Sequence, residues 1–110
     1  MKKVQKAIVT TINHKDGLHA RPVTSFIYLV NGFHDTEFVI EANGRSINGK
    51  SLLGVISLGI CEGATIQITV TGPATEVECS IDAIQRLIDS NFSEATFKEL
   101  CKEYHIQNSI

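Results

Sequence analysis

The chain has 110 residues, 43% of them hydrophobic, and a formal net charge of −2 from ten basic and twelve acidic side chains. This length predicts one compact core, and the balanced charge excludes a surface built mainly to bind nucleic acid. The three widely spaced cysteines lie outside any C-x-x-C pair and predict neither a disulfide framework nor a zinc site. No segment approaches the roughly 18 apolar residues that would span a bilayer, so we expect no membrane insertion and a location in the cytoplasm.

The spacing of apolar residues divides most of the chain into seven elements, in the order strand, helix, strand, strand, helix, strand, helix. In chain order they are predicted at residues 4–12, 20–31, 36–42, 45–48, 51–58, 64–71 and from residue 75 onwards. This βαββαβα order predicts an α+β open-faced sandwich, in which a four-stranded antiparallel sheet carries three helices on one face.

Glycine, asparagine and proline mark several boundaries between these elements. Gly32 is a favourable stop for the first helix, and Asn43-Gly44 is a strong two-residue hairpin signal between the second and third strands. Gly72-Pro73 predicts a turn that closes the fourth strand.

Hydroxyl side chains mark where the later helices begin. Ser51 is a favourable N-cap for the short second helix. Thr75 followed by Glu78 has the form of a capping box, in which the threonine and the glutamate satisfy each other's backbone donors. The third helix is therefore predicted to have Thr75 as its N-cap.

A fourth helix is predicted near the C-terminus. Ser93 lies between Phe92 and Phe97, in the arrangement of an N-cap with a hydrophobic staple, and apolar residues recur beyond it at helical spacing. We therefore predict a domain at residues 1–92 and a C-terminal helical extension at residues 93–110. The amphipathic pattern of the extension favours packing on the domain.

The segment GLHARP, residues 17–22, places a histidine at the predicted start of the first helix. Pro22 suits a first turn, where its missing N–H would have no acceptor, so the helix should begin within a residue or two of His19. The unpaired N–H groups and the helix dipole disfavour positive charge on the ring and stabilise a group that becomes anionic there. Arg21 adds a planar cation, and Gly17 lets the loop turn without steric cost.

This arrangement suits an imidazole that takes up a phosphoryl group. The ring presents the lone pair that a nucleophile needs, and the new charge would meet Arg21 and the N–H groups from Ala20 onwards. We predict His19 and Arg21 as catalytic residues, with Gly17, Ala20 and Arg21 stabilising the phosphate. A single histidine at a helix start also fits a simple capping role, so the residues alone leave both interpretations open.

The segment NGKSLLGVISLG, residues 48–59, is a second predicted helix start, independent of GLHARP. Together with GLHARP and the βαββαβα order, it resembles the HPr family, the histidine-containing phosphocarrier proteins of the bacterial phosphoenolpyruvate-dependent sugar phosphotransferase system. The resemblance covers about residues 4–92 and leaves the C-terminal extension unmatched. Two separate motifs in the right order are far more specific than either alone.

The resemblance implies a phosphoryl-transfer intermediate rather than a self-contained enzyme. His19 would accept a phosphoryl group on Nδ1 from phosphorylated enzyme I and pass it to enzyme IIA components for sugar uptake. Arg21 matches the arginine that steadies the phosphate in that family. No cofactor and no direct nucleic-acid partner are implied.

Ser51 has two roles that the sequence supports. As an N-cap it stabilises the short helix by on the order of 1 kcal/mol. The resemblance implies a second role, because in part of the family the matching serine is phosphorylated by an HPr kinase/phosphatase. That modification switches the carrier into a partner of a transcription regulator, so Ser51 is also a candidate regulatory site.

The short helix carries more apolar residues than one buried face can hold. Val55 and Leu58 are expected in the core, whereas some of the others should be exposed. Leu52, Leu53 and Ile56 match the positions that form a partner-docking patch in the HPr family, and we assign that role to them.

Two rival functions remain. One is an HPr-like regulatory binding module that acts through Ser51 and the docking patch without phosphoryl transfer; relatives of that sort lack the active histidine, so the presence of His19 argues against it. The other is an unrelated α+β protein that binds an anionic ligand at two helix starts without covalent transfer.

The other histidines show no metal-ligand spacing and are expected at the surface: His14, His34 and His105.

Overall fold

The computed structural model describes residues 2–107. Its elements are, in chain order, β1 (Lys3–Thr11), α1 (Ala20–Asn31), β2 (Glu37–Ala42), β3 (Arg45–Asn48), α2 (Leu52–Ser57), β4 (Thr65–Pro73), α3 (Ala74–Asp89) and α4 (Glu94–Glu103). The predicted βαββαβα order and the additional C-terminal helix are confirmed. Met1 and residues 108–110, the last part of the predicted extension, lie outside the described residues.

The four strands form one antiparallel sheet in the order β1-β4-β2-β3. β4 shows why the sheet has two unlike faces, because Ile66, Ile68 and Val70 are buried while the residues between them are not. The opposite face is open to solvent in the part of the chain that the structure describes, and Val9 on β1 is 67% exposed there.

The helices cover the buried face and enclose one core. α3 packs against β1 and β4, and α1 packs against α2, α3 and α4. Completely buried side chains come from helices and strands alike, including Phe26, Leu29, Ile40, Ile68, Ile84 and Leu87. Each contributes roughly 1.5–3 kcal/mol of burial free energy, so this core is the main source of stability.

The hairpin between β2 and β3 has the predicted turn. Asn43 and Gly44 both adopt positive φ, at 53° and 77°, as a type I′ turn requires. The Asn43 side-chain amide also donates a hydrogen bond to the backbone carbonyl of Leu58 at 2.7 Å. The turn therefore anchors the end of α2 as well as joining the two strands.

The turn predicted at Gly72-Pro73 is wrong. Both residues continue β4 and pair with β1, and α3 begins directly at Ala74. Proline is tolerated because it is the last residue of the strand, where the hydrogen-bond ladder ends. Glycine is required for a different reason than a turn, because a Cβ at position 72 would lie 2.7 Å from Oγ1 of Thr36.

The capping box predicted at Thr75 and Glu78 is also wrong. α3 starts before Thr75, and Pro73 occupies the N-cap position without a side-chain hydrogen bond. In the first turn, Glu76 instead accepts a hydrogen bond from Oγ1 of Thr36 at 2.8 Å. This contact joins the first turn of α3 to the residue before β2.

α4 packs on the rest of the protein, as its amphipathic pattern predicted. Oγ of Ser93 accepts a hydrogen bond from the backbone N–H of Thr96 at 3.4 Å, which confirms the predicted N-cap. The side chains of Phe97, Leu100 and Cys101 are buried in the common core. The extension is therefore an integral layer of the fold and not a loose appendage.

A surface ion-pair network fixes the last turn of α4 against α3. Arg86 on α3 donates to Asp82 at 3.2 Å and to Glu103 on α4 at 3.0 Å. Its hydrogen bond holds the pKa of Glu103 below the ordinary value. Because these pairs are exposed, they orient α4 more than they stabilise it.

The three cysteines are free: Cys61 is exposed, Cys79 is half-buried and Cys101 is buried. Burial raises the pKa of the Cys101 thiol, which makes it a poor nucleophile.

Between residues 2 and 107, none of the helices combines the length and the apolar character needed to cross a bilayer.

Candidate functional site

His19 lies at the mouth of α1, where the sequence placed it. It is the N-cap residue, with an extended backbone at φ −133° and ψ 168°, and its side chain makes no hydrogen bond to the helix. The residue is half-buried, between the interior and the surface. Because the ring does not cap the helix, the simple capping role is not supported.

The first turn of α1 presents backbone donors beside His19. The N–H groups of Ala20 and Arg21 have no acceptor within the helix, and Pro22 has none to offer. Ala20 adopts a φ of 50°, a left-handed conformation that costs an alanine about 1–2 kcal/mol. The surrounding fold therefore imposes an unusual backbone at the junction between His19 and the helix.

Gly17 allows the loop before His19 to reach the helix. Its φ is 58°, and a Cβ at this position would lie 2.1 Å from the carbonyl oxygen of Ile60. The backbone N–H of Leu18 donates a hydrogen bond to the same carbonyl at 3.0 Å. The loop is thus held tightly against the segment that follows α2, and only glycine fits there.

Replacing Gly17 by alanine is expected to lower the free energy of unfolding by about 2–3 kcal/mol. The new methyl group would overlap the Ile60 carbonyl, and the residue would have to keep a positive φ. Gly59→Ala is the matched control, because Gly59 has a φ of 63° with open space around it and would bear only the backbone strain. Urea unfolding followed by circular dichroism measures both variants, and equal losses would contradict the tight contact at Gly17.

Arg21 lies in the first turn of α1, as predicted, but its guanidinium has a partner that the sequence did not indicate. Its Nη1 donates a hydrogen bond to Oε2 of Glu94, the first residue of α4, at 2.9 Å. The pKa of Glu94 is lowered, first by its hydrogen bond with Lys98 and then by the charges of Lys98 and Arg21. The sequence did not predict this role for Glu94. An acidic residue directly after an N-cap is common in helices, so its position does not indicate a contact with Arg21.

Ser51 caps α2 as predicted. Its Oγ accepts a hydrogen bond from the backbone N–H of Gly54 at 3.0 Å. The preceding residue, Lys50, ties this helix start to the far end of α1: its Nζ donates to the carbonyl of Phe33 at 2.7 Å, and its own carbonyl accepts from the Asn31 amide at 3.3 Å. Ser51 therefore lies beside the C-terminal end of α1.

The hydrogen bonds at its two ends show that α2 runs antiparallel to α1. Ser51 lies next to the last turn of α1, and Ile60, just after α2, contacts the loop residue Leu18 next to His19. Since α1 has 12 residues, it is about 18 Å long. His19 and Ser51 thus occupy opposite ends of α1 and do not share a pocket.

The apolar patch, formed by Leu52, Leu53 and Ile56, lies on α2 between these two ends. The three side chains are 44%, 78% and 39% exposed, whereas Val55 and Leu58 are buried, as predicted. Adjacent exposed leucine and isoleucine side chains on one short helix are typical of an interaction surface.

The other histidines differ in their surroundings. His34 and His105 are exposed, as predicted. His14 is only partly so: its side chain is 20% exposed, and its ring contacts Phe92 edge-on with 6.0 Å between the ring centroids. Its packing against Phe92, at the end of the predicted domain, overrides the expected surface position. Within residues 2–107, no cluster of three or more histidine, cysteine or acidic residues could hold a metal ion.

Comparisons with known proteins agree with this fold and identify the family. The family model for the PTS HPr component phosphorylation site matches residues 6–90. Phosphocarrier protein NPr from Shewanella violacea is 34% identical over 96 residues, which cover 87% of this chain and 100% of that protein.

Solved structures show the same similarity in three dimensions. The crystal structure of HPr-C-His from Thermoanaerobacter tengcongensis has 31% identity and a TM-score of 0.71, and the match covers 81% of this chain and 97% of that one. Phosphocarrier protein HPr from Bacillus anthracis str. Ames has 35% identity and a TM-score of 0.62, with 74% of this chain and 92% of that one covered. On its motifs, fold and sequence, the chain belongs to the HPr family of phosphotransferase-system phosphocarriers.

Proposed function

We propose that the chain is a cytoplasmic phosphocarrier that accepts a phosphoryl group on His19 from phosphorylated enzyme I and passes it to enzyme IIA components for sugar uptake. One observation carries the proposal. His19 is the N-cap residue of α1, yet its side chain makes no capping hydrogen bond to the helix. Family membership supplies the reaction class, phosphoryl transfer among the enzymes of a phosphotransferase system.

His19 is a better phosphoryl acceptor than His14, the other histidine of the same loop. A backbone N–H only donates, so Nδ1 of His14 must accept the 3.0 Å hydrogen bond from the Asp16 backbone. The lone pair of Nδ1, the atom proposed to carry the phosphoryl group on His19, is therefore already engaged in His14. His34 follows the opposite end of α1 and is remote from the donors at its start.

The transfer itself is an in-line displacement at phosphorus. The P–N bond to His19 forms as the P–N bond to the donor histidine breaks, and the electron pair of the breaking bond stays with the departing ring. The phosphoryl oxygens would meet the N–H groups of Ala20 and Arg21 and the Arg21 guanidinium. Gly17 contributes by shaping the loop that presents the ring.

Incubation with phosphoenolpyruvate and purified enzyme I tests this function. We expect one phosphoryl group per chain, an acid-labile bond, and loss of the label on addition of an enzyme IIA component. An acid-stable label would place the phosphate on a hydroxyl group and contradict the proposal. Saturable binding of phosphate-bearing ligands without any covalent label would instead favour the anion-binding alternative.

Ser51 serves in this proposal as a regulatory site for an HPr kinase/phosphatase, with the phosphorylated carrier recognised by a transcription regulator. A helix start tolerates the added charge of about −1.5 to −2, so the fold would persist. Because Ser51 lies at the other end of α1 from His19, its phosphate would act on docking across the apolar patch and not on the ring.

Ser51→Asp is expected to raise the KM of enzyme I for this carrier about fivefold, which corresponds to roughly 1 kcal/mol of added repulsion at an acidic partner surface. Aspartate is itself a good N-cap, so α2 should keep its stability. Ser46→Asp adds the same charge at an exposed position on β3 and should leave the KM unchanged. Initial-rate kinetics decide the matter, and an unaltered KM for Ser51→Asp would argue against this mode of regulation.

We also assign residues 1–92 to the phosphocarrier domain and residues 93–110 to a C-terminal helical extension. The family match ends at residue 90, two residues before Phe92, which supports a boundary there. The apolar patch of Leu52, Leu53 and Ile56 is assigned to docking with enzyme I and enzyme IIA components.

A further inference from the structure

The C-terminal extension reaches the proposed phosphoryl site through one ion pair. Arg21 Nη1 donates to Glu94 Oε2 at 2.9 Å, across 73 positions of the chain. The two side chains are 71% and 57% exposed, so either can move without opening the core. Ser93 caps α4 immediately before Glu94 and fixes the place of its backbone.

The Glu94 carboxylate binds the Arg21 guanidinium, the same group that a phosphoryl dianion on His19 would bind. A guanidinium offers its donors in a planar fork, and carboxylates and phosphates bind to the same fork. A phosphoryl group brings a charge of about −1.5 to −2, against −1 for the carboxylate, so it is the stronger competitor. Both anions would draw on the same cation at the mouth of α1.

Glu94 is also equipped to release Arg21. Its second oxygen, Oε1, lies 3.3 Å from Nζ of Lys98 on the next turn of α4. When the guanidinium leaves, the carboxylate therefore keeps a cationic partner. The lowered pKa of Glu94 means that it is ionised, and so competes, throughout the neutral pH range.

We propose that Glu94 is a positioning residue that holds Arg21 in the unphosphorylated carrier and yields it to the phosphoryl group on His19. The inference rests on the proposed function, since it takes His19 as the acceptor. The P–N bonds form and break as described above, and Arg21 exchanges one anion for another without a proton transfer or a further reactant. Each phosphorylation breaks the Arg21–Glu94 pair, so the extension makes the carrier bind its phosphoryl group less tightly and pass it on more readily.

An exchange equilibrium between two carriers measures this effect directly. Isotope-labelled wild-type protein and unlabelled Glu94→Gln protein share a limited supply of phosphoryl groups through enzyme I, and intact-mass spectrometry at neutral pH gives the phosphorylated fraction of each. We expect the Glu94→Gln protein to hold the phosphoryl group about two- to fivefold more tightly, the range expected for an exposed ion pair. The difference should shrink as salt is added.

Two further variants separate positioning from a general charge effect. Glu99→Gln removes the same charge from an exposed position of the same helix and should exchange evenly with the wild type. In an Arg21→Ala background, Glu94→Gln should have no effect on the equilibrium. The proposal is overturned if Glu94→Gln behaves like the wild type, if Glu99→Gln matches it, or if its effect survives without Arg21.

A chemical route distinguishes failure of this inference from failure of the proposed function. Phosphoramidate can phosphorylate imidazole without enzyme I: the new P–N bond forms while ammonia leaves with the electron pair of the old one. NMR signals of the Glu94 carboxyl carbon and the Arg21 guanidinium should then shift, and the shifts should be absent in His19→Ala. Labelling by phosphoramidate but not by enzyme I would refute only the proposed donor. Labelling at His19 with both signals unmoved would refute the role of Glu94, and no labelling of His19 by either route would refute both.

Discussion

His19→Ala is expected to abolish acid-labile phosphorylation by phosphoenolpyruvate and enzyme I. The variant lacks the ring nitrogen whose lone pair attacks phosphorus, and no other histidine of the described chain lies at the start of α1. Radiolabel counting before and after acid treatment measures the loss. Undiminished labelling would reject His19 as the acceptor.

The same variant should remain folded, which makes the result interpretable. His19 makes no capping hydrogen bond and is only half-buried, so its truncation should change the free energy of unfolding by less than about 1 kcal/mol. His34→Ala, at an exposed position beyond the other end of α1, is the matched control and should be labelled like the wild type. Loss of label in both variants would point to a general defect and contradict a specific role for His19.

Leu100→Ala should produce the largest loss of stability among the substitutions considered, about 2–5 kcal/mol. Leu100 is fully buried although it belongs to the C-terminal extension, so the truncated side chain would leave a cavity between α4 and the other helices. The midpoint of urea unfolding measures the change. A loss this large would show that the extension stabilises the whole protein.

Leu53→Ala provides the comparison for Leu100→Ala within the same chain. The chemical change is identical, but Leu53 is 78% exposed in the apolar patch, so we expect a change within about 0.5 kcal/mol. If Leu100→Ala were as mild as Leu53→Ala, the packing of α4 against the core would be disproved.

Local signals were sufficient for most of the fold. The strict alternation of Ile66, Ile68 and Val70 gave the strand with its buried face, because a period of two has only one interpretation over that length. Asn43-Gly44 gave the hairpin because few other residues tolerate two consecutive positive φ angles. The place of His19 at the mouth of α1 followed from Pro22, whose ring suits the first turn of a helix.

The failures share a physical cause, which is contact between residues distant in sequence. Gly72-Pro73 has the composition of a turn, yet pairing with β1 extends the strand through both residues. Glu78, the glutamate of the predicted capping box, pairs with Lys6 of β1 instead of completing a local cap. The partner of Arg21 lies 73 positions away on a helix that the family motifs do not include, so no nearby pattern could have revealed it.

The sheet order has a consequence for the newly made polypeptide. Among the described strands, β1 pairs with β4 alone, so its first partner residue, Thr65, is synthesised 54 positions after Thr11. At roughly 5–20 residues per second, the ribosome leaves this strand without its neighbour for several seconds. During that interval the polar side chains of this half-apolar strand, at Lys3, Gln5 and Lys6, discourage pairing with other nascent chains.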